Sequence, residues 1–288
     1  MIKPETKSSS SPVPSLLNLN LIPATSRIIN AQTYRGRPVR HIGKKDTIGF
    51  CVSGYAVLHI NEQNLLLRPN QLVYSPSGMY RGRTGLSDDL FIYEVEVDGE
   101  VEGTPVFEHL QLHAGRYIVD VSPDYLPLLK ERYQRLSIFS PYVEDSIFKV
   151  AGIADILAVY FASRVQREEN DKSFEPVLTY MREHISTGIT LTELSTIVHM
   201  KPTYFISLFK KKFYMSPIAY FNTMRAKRAI DLLAETDLSI SEVGKRIGIE
   251  DRYYFSKFFK AQCGIAPDHF RKSIRIMLST TKEDSNRP

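Results

Sequence analysis

Cysteine is scarce in this sequence. Only Cys51 and Cys263 occur among 288 residues, and they lie far apart without Cys-x-x-Cys spacing. A disulfide framework needs several paired cysteines, and a structural zinc site needs closely spaced ligands. The sequence therefore predicts two reduced thiols, with no disulfide and no cysteine-based zinc site.

Long apolar runs are also missing. The longest, near the letters IADILAVYFA, is too short to cross the hydrocarbon core of a bilayer. No early stretch combines a charged start, an apolar middle and a small-residue cleavage site, as a secretory signal would. We therefore expect a cytoplasmic protein with no membrane partner, whose length allows two domains with sizeable cores.

An excess of positive charge is present, but only in the last third of the chain. Residues 173–276 contain 16 Lys and Arg against 10 Asp and Glu, whereas the whole chain has a formal net charge of +5. The remaining residues are therefore close to neutral. A localised basic excess fits an anionic polymer as partner, although solubility alone also accounts for it.

Changes of composition divide the chain and predict an α+β fold class. Short alternating apolar runs separated by turn residues predict a β-sandwich or barrel, and two helical segments follow it. The second of these is so apolar that one face should contact a partner, which favours a homodimer. The predicted parts are a flexible arm at 1–27, the sandwich with its dimerisation helices at 28–169, a charged linker at 170–173, an all-helical domain at 174–277 and a disordered tail at 278–288.

The helical domain contains an internal repeat. Five residues recur 50 positions later: Tyr204, Phe205, Phe209, Lys210 and Pro217 correspond to Tyr254, Phe255, Phe259, Lys260 and Pro267. Each copy begins with a capping-box pattern, at Thr190 to Glu193 and at Ser239 to Glu242. The repeat predicts two helix-turn-helix units, the arrangement that presents its second helix to a DNA major groove. Residues 216–237 predict one long connecting helix that holds the two second helices about one DNA turn, roughly 34 Å, apart.

The second helix of the second unit has two distinct faces. On a helical projection Tyr254, Phe255, Phe258, Phe259 and Ala261 share one face, and Arg252, Tyr253, Ser256, Lys257 and Lys260 share the other. The aromatic face should pack. The polar face is either an ordinary solvated surface or a nucleic-acid contact, and the presence of two copies favours the contact.

This repeat resembles the DNA-binding domain of the AraC/XylS family of bacterial transcriptional regulators, over about a hundred residues. The segments YFISLFKKKF and GIEDRYYFSKFFKAQCGIAPDHFR carry the resemblance, and Gly248 and Gly264 stand at the signature spacing. Arg225 matches the linker helix of the family. The first unit departs from the pattern at Lys201, where a serine-like cap is usual, and at Tyr214, where glycine usually ends the helix.

The resemblance implies a set of DNA contacts and a set of partners. The implied base-reading residues are Thr203, Ile206, Ser207, Arg252, Tyr253, Ser256 and Lys257, and the expected phosphate contacts are Lys210, Lys211, Lys212 and Lys260. Arg252 is the best candidate for bidentate contact with guanine. Ile206 is otherwise an incidental surface residue, and the lysines otherwise complement a helix C-terminus. The implied partners are double-stranded DNA, RNA polymerase, a small-molecule effector and a second copy of the chain, in a regulator that is an activator.

The N-terminal part resembles the cupin-type effector domain common in that family, through the segment LRPNQLVYSPSGMYR. A metal-binding cupin carries a His-x-His pair, whereas VSGYAVLHIN offers only His59, and Arg81 stands where the second metal motif carries histidine. Too few ligands remain for a catalytic metal. The sequence therefore predicts no metal, no cofactor and no catalytic residue, and a cupin-like enzyme fused to a DNA-binding module is the disfavoured alternative.

The candidate effector residues are Arg81, Arg83, Tyr93, Glu94 and Glu96. In the usual form of the family the positions of Glu94 and Glu96 face the pocket, and arginines with carboxylates suit a polyhydroxylated ligand such as a sugar. The alternative is that both carboxylates face water while the aromatic side of the strand forms the core. An effector-independent or lipid-responsive regulator also remains open.

Overall fold

The computed structural model describes residues 19–30, 40–60, 63–78, 80–101, 104–105, 117–137 and 143–284. The strands are β1 Leu19–Asn30, β2 Arg40–Ile42, β3 Asp46–Ser53, β4 Ala56–Ile60, β5 Gln63–Leu67, β6 Gln71–Ser75, β7 Tyr80–Gly85, β8 Phe91–Val101, β9 Thr104–Pro105 and β10 Ile118–Asp120. The helices are α1 Leu126–Leu136, α2 Val143–Ser173, α3 Glu175–Glu183, α4 Leu191–Ile197, α5 Pro202–Phe213, α6 Pro217–Glu235, α7 Ile240–Arg246, α8 Arg252–Cys263 and α9 Pro267–Asp284.

The strands form two antiparallel sheets, followed by the helical domain. One sheet has the order β1-β8-β3-β6-β10, with β9 paired to β8, and the other has the order β2-β7-β4-β5. Alternate residues of β8 enter two different cores, as the two-residue period of a strand requires. Tyr93, Val95 and Val97 pack with α1 and α2, whereas Ile92 packs in the cluster that contains β4 residues. The predicted α+β class is confirmed, and the antiparallel sheets are compatible with a cupin-like sandwich.

Three predicted boundaries are wrong. Strand β1 begins at Leu19 and pairs with β8, so residues 19–27 belong to the sandwich rather than to an arm. Helix α2 continues to Ser173, so the predicted linker at 170–173 is its last turn. The segment QREENDKS is charged but consists largely of good helix formers without Gly or Pro, so it extends the preceding helix. Helix α9 continues to Asp284, so residues 278–284 of the predicted disordered tail are helical. The predictions for residues 1–18 and 285–288 lie outside the described residues.

The helical domain has two cores that share the connecting helix α6. The first contains Phe205, Phe209 and Phe213 of α5 together with Phe221 from the start of α6. The second contains the apolar side of α6 further along and the aromatic side of α8, with Ala226, Ala229, Ile230, Leu233, Phe255 and Phe259. Because α6 contributes to both, the two units are joined by one continuous element.

The predicted capping boxes begin α4 and α7. The Thr190 hydroxyl accepts from the Glu193 amide at 3.2 Å, and the Glu193 carboxylate accepts from the Thr190 amide at 2.7 Å. Ser239 and Glu242 form the same pair of bonds. These bonds hold the pKa of each glutamate below its usual range, through the side-chain and backbone hydrogen bonds. The short first helix of each unit is therefore fixed at its start.

Candidate nucleic-acid interface

Helix α8 presents a basic and phenolic surface. Its Phe255, Phe259 and Cys263 are fully buried, while Arg252, Tyr253, Lys257 and Lys260 are exposed. Asp251 caps the helix, since its carboxylate accepts from the Tyr254 amide at 2.6 Å. The cap leaves the polar face of the first turn open to solvent.

Three side chains of this face make contacts within α8. The Lys257 ammonium lies 4.5 Å from the centre of the Tyr253 ring, a cation–π contact that supports both long side chains. The Ser256 hydroxyl donates to the carbonyl of Arg252 at 2.9 Å, and Ser256 is half-buried. Of the predicted base-reading residues in α8, Arg252, Tyr253 and Lys257 therefore protrude furthest.

Tyr254 differs from the helical projection, which placed it on the packing face. Its side chain is 61% exposed, and the corresponding Tyr204 of the first unit is 60% exposed. Both residues lie in the first turn of their helices. The helical projection gives the direction of each side chain but does not show whether a neighbouring helix covers it.

Helix α5 presents a weaker version of the same surface. Thr203, Ser207, Lys210 and Lys211 are exposed. Ile206 is half-buried against the core of the first unit, so part of its side chain has a packing role. No side chain caps α5 at Lys201, and Tyr214 ends it in the left-handed conformation at φ 58°, where Gly264 ends α8 at φ 84°.

Lys212, a predicted phosphate contact, is held at the end of helix α2. It is half-buried, and its ammonium donates to the Asn170 side-chain oxygen at 3.2 Å. The Asn170 amide in turn donates to the carbonyl of Lys212 at 2.6 Å. These two bonds join the end of α2 to the end of α5, so Lys212 faces the sandwich domain. Nothing in the sequence around Asn170 predicts its contact with Lys212.

The candidate effector residues are divided between the two faces of β8. Arg83 of β7 and Glu94 of β8 form a buried ion pair, with Nη2 and Oε2 2.5 Å apart, that joins the two sheets. Tyr93 points the other way and stacks on Tyr133 of α1, with ring centroids 5.6 Å apart. Tyr93 therefore cannot share a pocket with this ion pair. Glu96 is half-buried, and the side chain of Arg81 lies outside the described residues.

The alternative in which both carboxylates face water is wrong for Glu94, which is 4% exposed. A further polar group lies on the sheet that carries Arg83: His59 contacts Asn64 through Nδ1 at 2.7 Å and Thr84 through Nε2 at 2.9 Å. The Cys51 thiol, on strand β3, is buried, and burial raises its pKa to about 12. Both cysteines are free, as predicted.

Other kinds of site find no support in the described part of the chain. Among those residues no three His, Cys, Asp or Glu side chains lie close enough together to hold a metal ion. Nor do they include a helix that is long and apolar enough to cross a membrane.

Comparison with known proteins agrees with this geometry. Residues 194–273 match a family described as a helix-turn-helix domain. The chain is 30% identical over 107 residues to the MmsAB operon regulatory protein of Pseudomonas aeruginosa. It is 29% identical over 154 residues to the raffinose operon transcriptional regulatory protein of Pediococcus pentosaceus. This part of the chain is an AraC-type helix-turn-helix domain.

The two relatives share only part of their length with this chain. The matches cover 37% and 51% of this chain, and 35% and 55% of the two relatives. The chain thus spans about a third and about half of the curated relatives it matches. Among solved structures, the C-terminal domain of the response regulator yesN from Fusobacterium nucleatum is 29% identical, with 35% of this chain and 98% of that chain covered and a TM-score of 0.33.

Proposed function

We propose that the protein is a sequence-specific DNA-binding regulator of transcription. The observation that carries this proposal is the pair of repeat-related helices, α5 and α8, that expose polar faces while their aromatic faces pack on one connecting helix. A helix held in this way fits a major groove, and two helices on one connector fit two successive grooves.

Roles follow from the chemistry of the exposed side chains. Arg252, at the start of α8, offers the forked donor that matches the two acceptors of guanine. Tyr253, Ser256 and Lys257 extend this face, and Thr203, Ile206 and Ser207 form its counterpart on α5. Lys210, Lys211 and Lys260 lie near the helix ends and suit phosphate oxygens, which position a protein without distinguishing sequence.

Arg252→Ala tests the assignment of base reading. We expect its affinity for a duplex selected by the wild-type protein to fall by about 5- to 150-fold, the equivalent of 1 to 3 kcal/mol, while its affinity for random duplex changes little. The measurement is a binding titration of both duplexes at several salt concentrations.

Lys260→Ala is the matched control from the same helix. It should weaken both duplexes by a similar factor and reduce the salt dependence of binding. An equal loss on both duplexes for Arg252→Ala would assign Arg252 to phosphate, and failure of the wild-type protein to select any sequence would overturn the proposed function.

Regulation would involve a second copy of the chain and RNA polymerase, as part of an activator in the cytoplasm. Support for the homodimer comes from α2, which exposes Phe148 and Val165 with 64% and 51% of their surfaces accessible. Exposed large apolar side chains on a long helix fit a protein contact. The relatives are named as regulators of operons, which supports a role other than enzyme catalysis.

The effector would be a polyhydroxylated small molecule that acts on the sandwich. One relative is named for the raffinose operon, and the sandwich encloses Arg83 and Glu94, groups that suit hydroxyl recognition. Because these two groups already pair, such a ligand must replace or enlarge their contacts, which would shift the sandwich between two states. Identical DNA affinity and identical footprints with every sugar tested would remove support for this effector and favour the effector-independent or lipid-responsive alternative.

A further inference from the structure

One side chain of the connecting helix lies between the two helix-turn-helix units, where the first unit is taken to include residues 184–189, which join α3 to α4. Arg225 lies near the middle of α6, and its Nε donates to the carbonyl of Ile185, which follows α3, at 3.0 Å. Its guanidinium lies 4.6 Å from the centre of the Phe221 ring, one turn earlier on α6. The guanidinium is therefore fixed on the first unit by a hydrogen bond and supported by an aromatic ring.

The same guanidinium reaches the turn of the second unit at Gly248. A Cβ added at Gly248 would lie 2.7 Å from Nη2 of Arg225 and would overlap the carbonyl oxygen of Ser186. Gly248 has φ 75°, so a side chain there would be strained in addition to clashing. The backbone of the second unit thus approaches the 185–188 segment of the first unit as closely as a glycine allows.

The first unit shows that the turn itself does not require glycine. The residue equivalent to Gly248 is His199, which also has a positive φ, of 51°, and carries an exposed side chain. The difference between the two turns is the contact that Gly248 makes with Ser186 and Arg225. The glycine is required by the approach of the two units.

The Arg225 guanidinium is partly shielded from solvent at this junction. Burial lowers the pKa of Arg225, and the nearby Tyr254 phenol acts in the opposite direction. A Cβ at Gly188, in the first unit, would also lie 3.5 Å from Nη2 of Arg225. The guanidinium therefore lies between α6, the segment after α3 and the turn before α8.

We propose that Arg225 is a positioning residue that fixes the angle and separation of α5 and α8, and so fixes the spacing of the two DNA segments that the protein binds. The part that concerns DNA rests on the proposed function. The geometric part is independent of it and can be measured on the free protein.

The first experiment measures the distance between the two helices. Nitroxide labels are placed at Lys210→Cys and Lys260→Cys, which are exposed and equivalent in the repeat. Cys51 and Cys263 are buried, and burial raises the pKa of both thiols, so labelling is selective. Pulsed electron–electron double resonance then gives the distribution of distances between the two labels in the full-length chain.

Arg225→Met should broaden this distribution about twofold, because methionine keeps much of the length but has no donor for Ile185. Arg225→Lys should give an intermediate width. Arg228→Met, an exposed position three residues further along α6, is the matched control and should retain the wild-type width. A folded Arg225→Met protein with an unchanged distribution would overturn the proposal.

Gly248→Ala provides a second variant that does not depend on Arg225 itself. It should shift or broaden the distance, because the added Cβ meets Ser186. Gly78→Ala is its control, since Gly78 has a similar φ of 73° but no atom within 4 Å of an added Cβ. Equal distributions in these two variants would contradict the role of the junction.

The second experiment concerns DNA and separates the two proposals. Duplexes are selected from a random-sequence pool by the unlabelled wild-type and Arg225→Met proteins. The wild-type protein should return two short motifs at one fixed spacing, whereas the variant should return the same motifs at several spacings and bind the wild-type spacing about tenfold more weakly. A single unchanged spacing would overturn the proposal. If the wild-type protein selects no motif, the proposed function fails while the distance measurement still decides the role of Arg225.

Discussion

At the scale of single residues, Asp231 shows how the inner side of α6 is constrained. Burial raises the pKa of its carboxyl from 3.8 to about 6, with Lys227 opposing the shift and Glu235 adding to it. A pKa that is higher in the folded state favours folding only where the carboxyl is protonated. Asp231 therefore favours stability at low pH, and this contribution is lost as the pH rises through about 6.

Asp231→Asn should accordingly stabilise the protein at neutral pH. We expect a gain of about 1 kcal/mol in the free energy of unfolding at about pH 7.5, discounted for partial exposure, and almost none at about pH 4. Urea unfolding at the two pH values measures the difference. Asp237→Asn, which removes an exposed ion pair with Arg275, should change stability little at either pH. A gain for Asp231→Asn that does not depend on pH would contradict this explanation.

Glu94 shows that the alternation of side chains along a strand predicts which face a residue lies on but not what covers that face. The pattern of β8 correctly separates Glu94 from Tyr93, because successive side chains point to opposite faces. It does not show that both faces are covered, one by the second sheet and the other by α1 and α2. The partner of Glu94 is Arg83, on a strand of the other sheet, and nothing in the spacing of the two residues predicts their contact.

At the scale of helices, the two recognition helices differ in their ends. Helix α8 has Asp251 as a side-chain cap, whereas α5 begins at Lys201 without one. Lys201→Ser should therefore stabilise the protein by about 0.5 to 1 kcal/mol, and Asp251→Ala should destabilise it by about 1 kcal/mol. Urea unfolding at neutral pH measures both changes.

Lys211→Ser is the control for the loss of a lysine, since Lys211 is exposed near the end of α5. It should not stabilise the protein, because serine is a poorer helix former than lysine and no amide there needs a cap. If Lys201→Ser gave no more stability than Lys211→Ser, the missing cap would have no energetic consequence. The sequence predicted this asymmetry because caps are local.

At the scale of the whole molecule, the sandwich and the helical domain share a core. Val57 and Leu86 from the sandwich are buried in the same cluster as the apolar residues of α6 and α8. An added Cβ at Gly264, where α8 ends, would lie 3.1 Å from the Tyr55 ring. On the other side Asn170 binds Lys212. Each helix-turn-helix unit is thus in contact with the N-terminal part of the chain.

The sequence by itself determined the α+β class, the helical repeat, its capping boxes and the polar face of α8. These features are local, because a helix repeats its faces every 3.6 residues and a cap acts over three residues. Only the tertiary structure decided that Lys212 faces Asn170, that Glu94 pairs with Arg83, that α2 continues through the charged segment, and that Arg225 meets Gly248. Each of the three side-chain contacts joins residues at least ten positions apart. Such contacts depend on which surfaces meet when the chain folds, and the periodicity of a single helix or strand does not predict them.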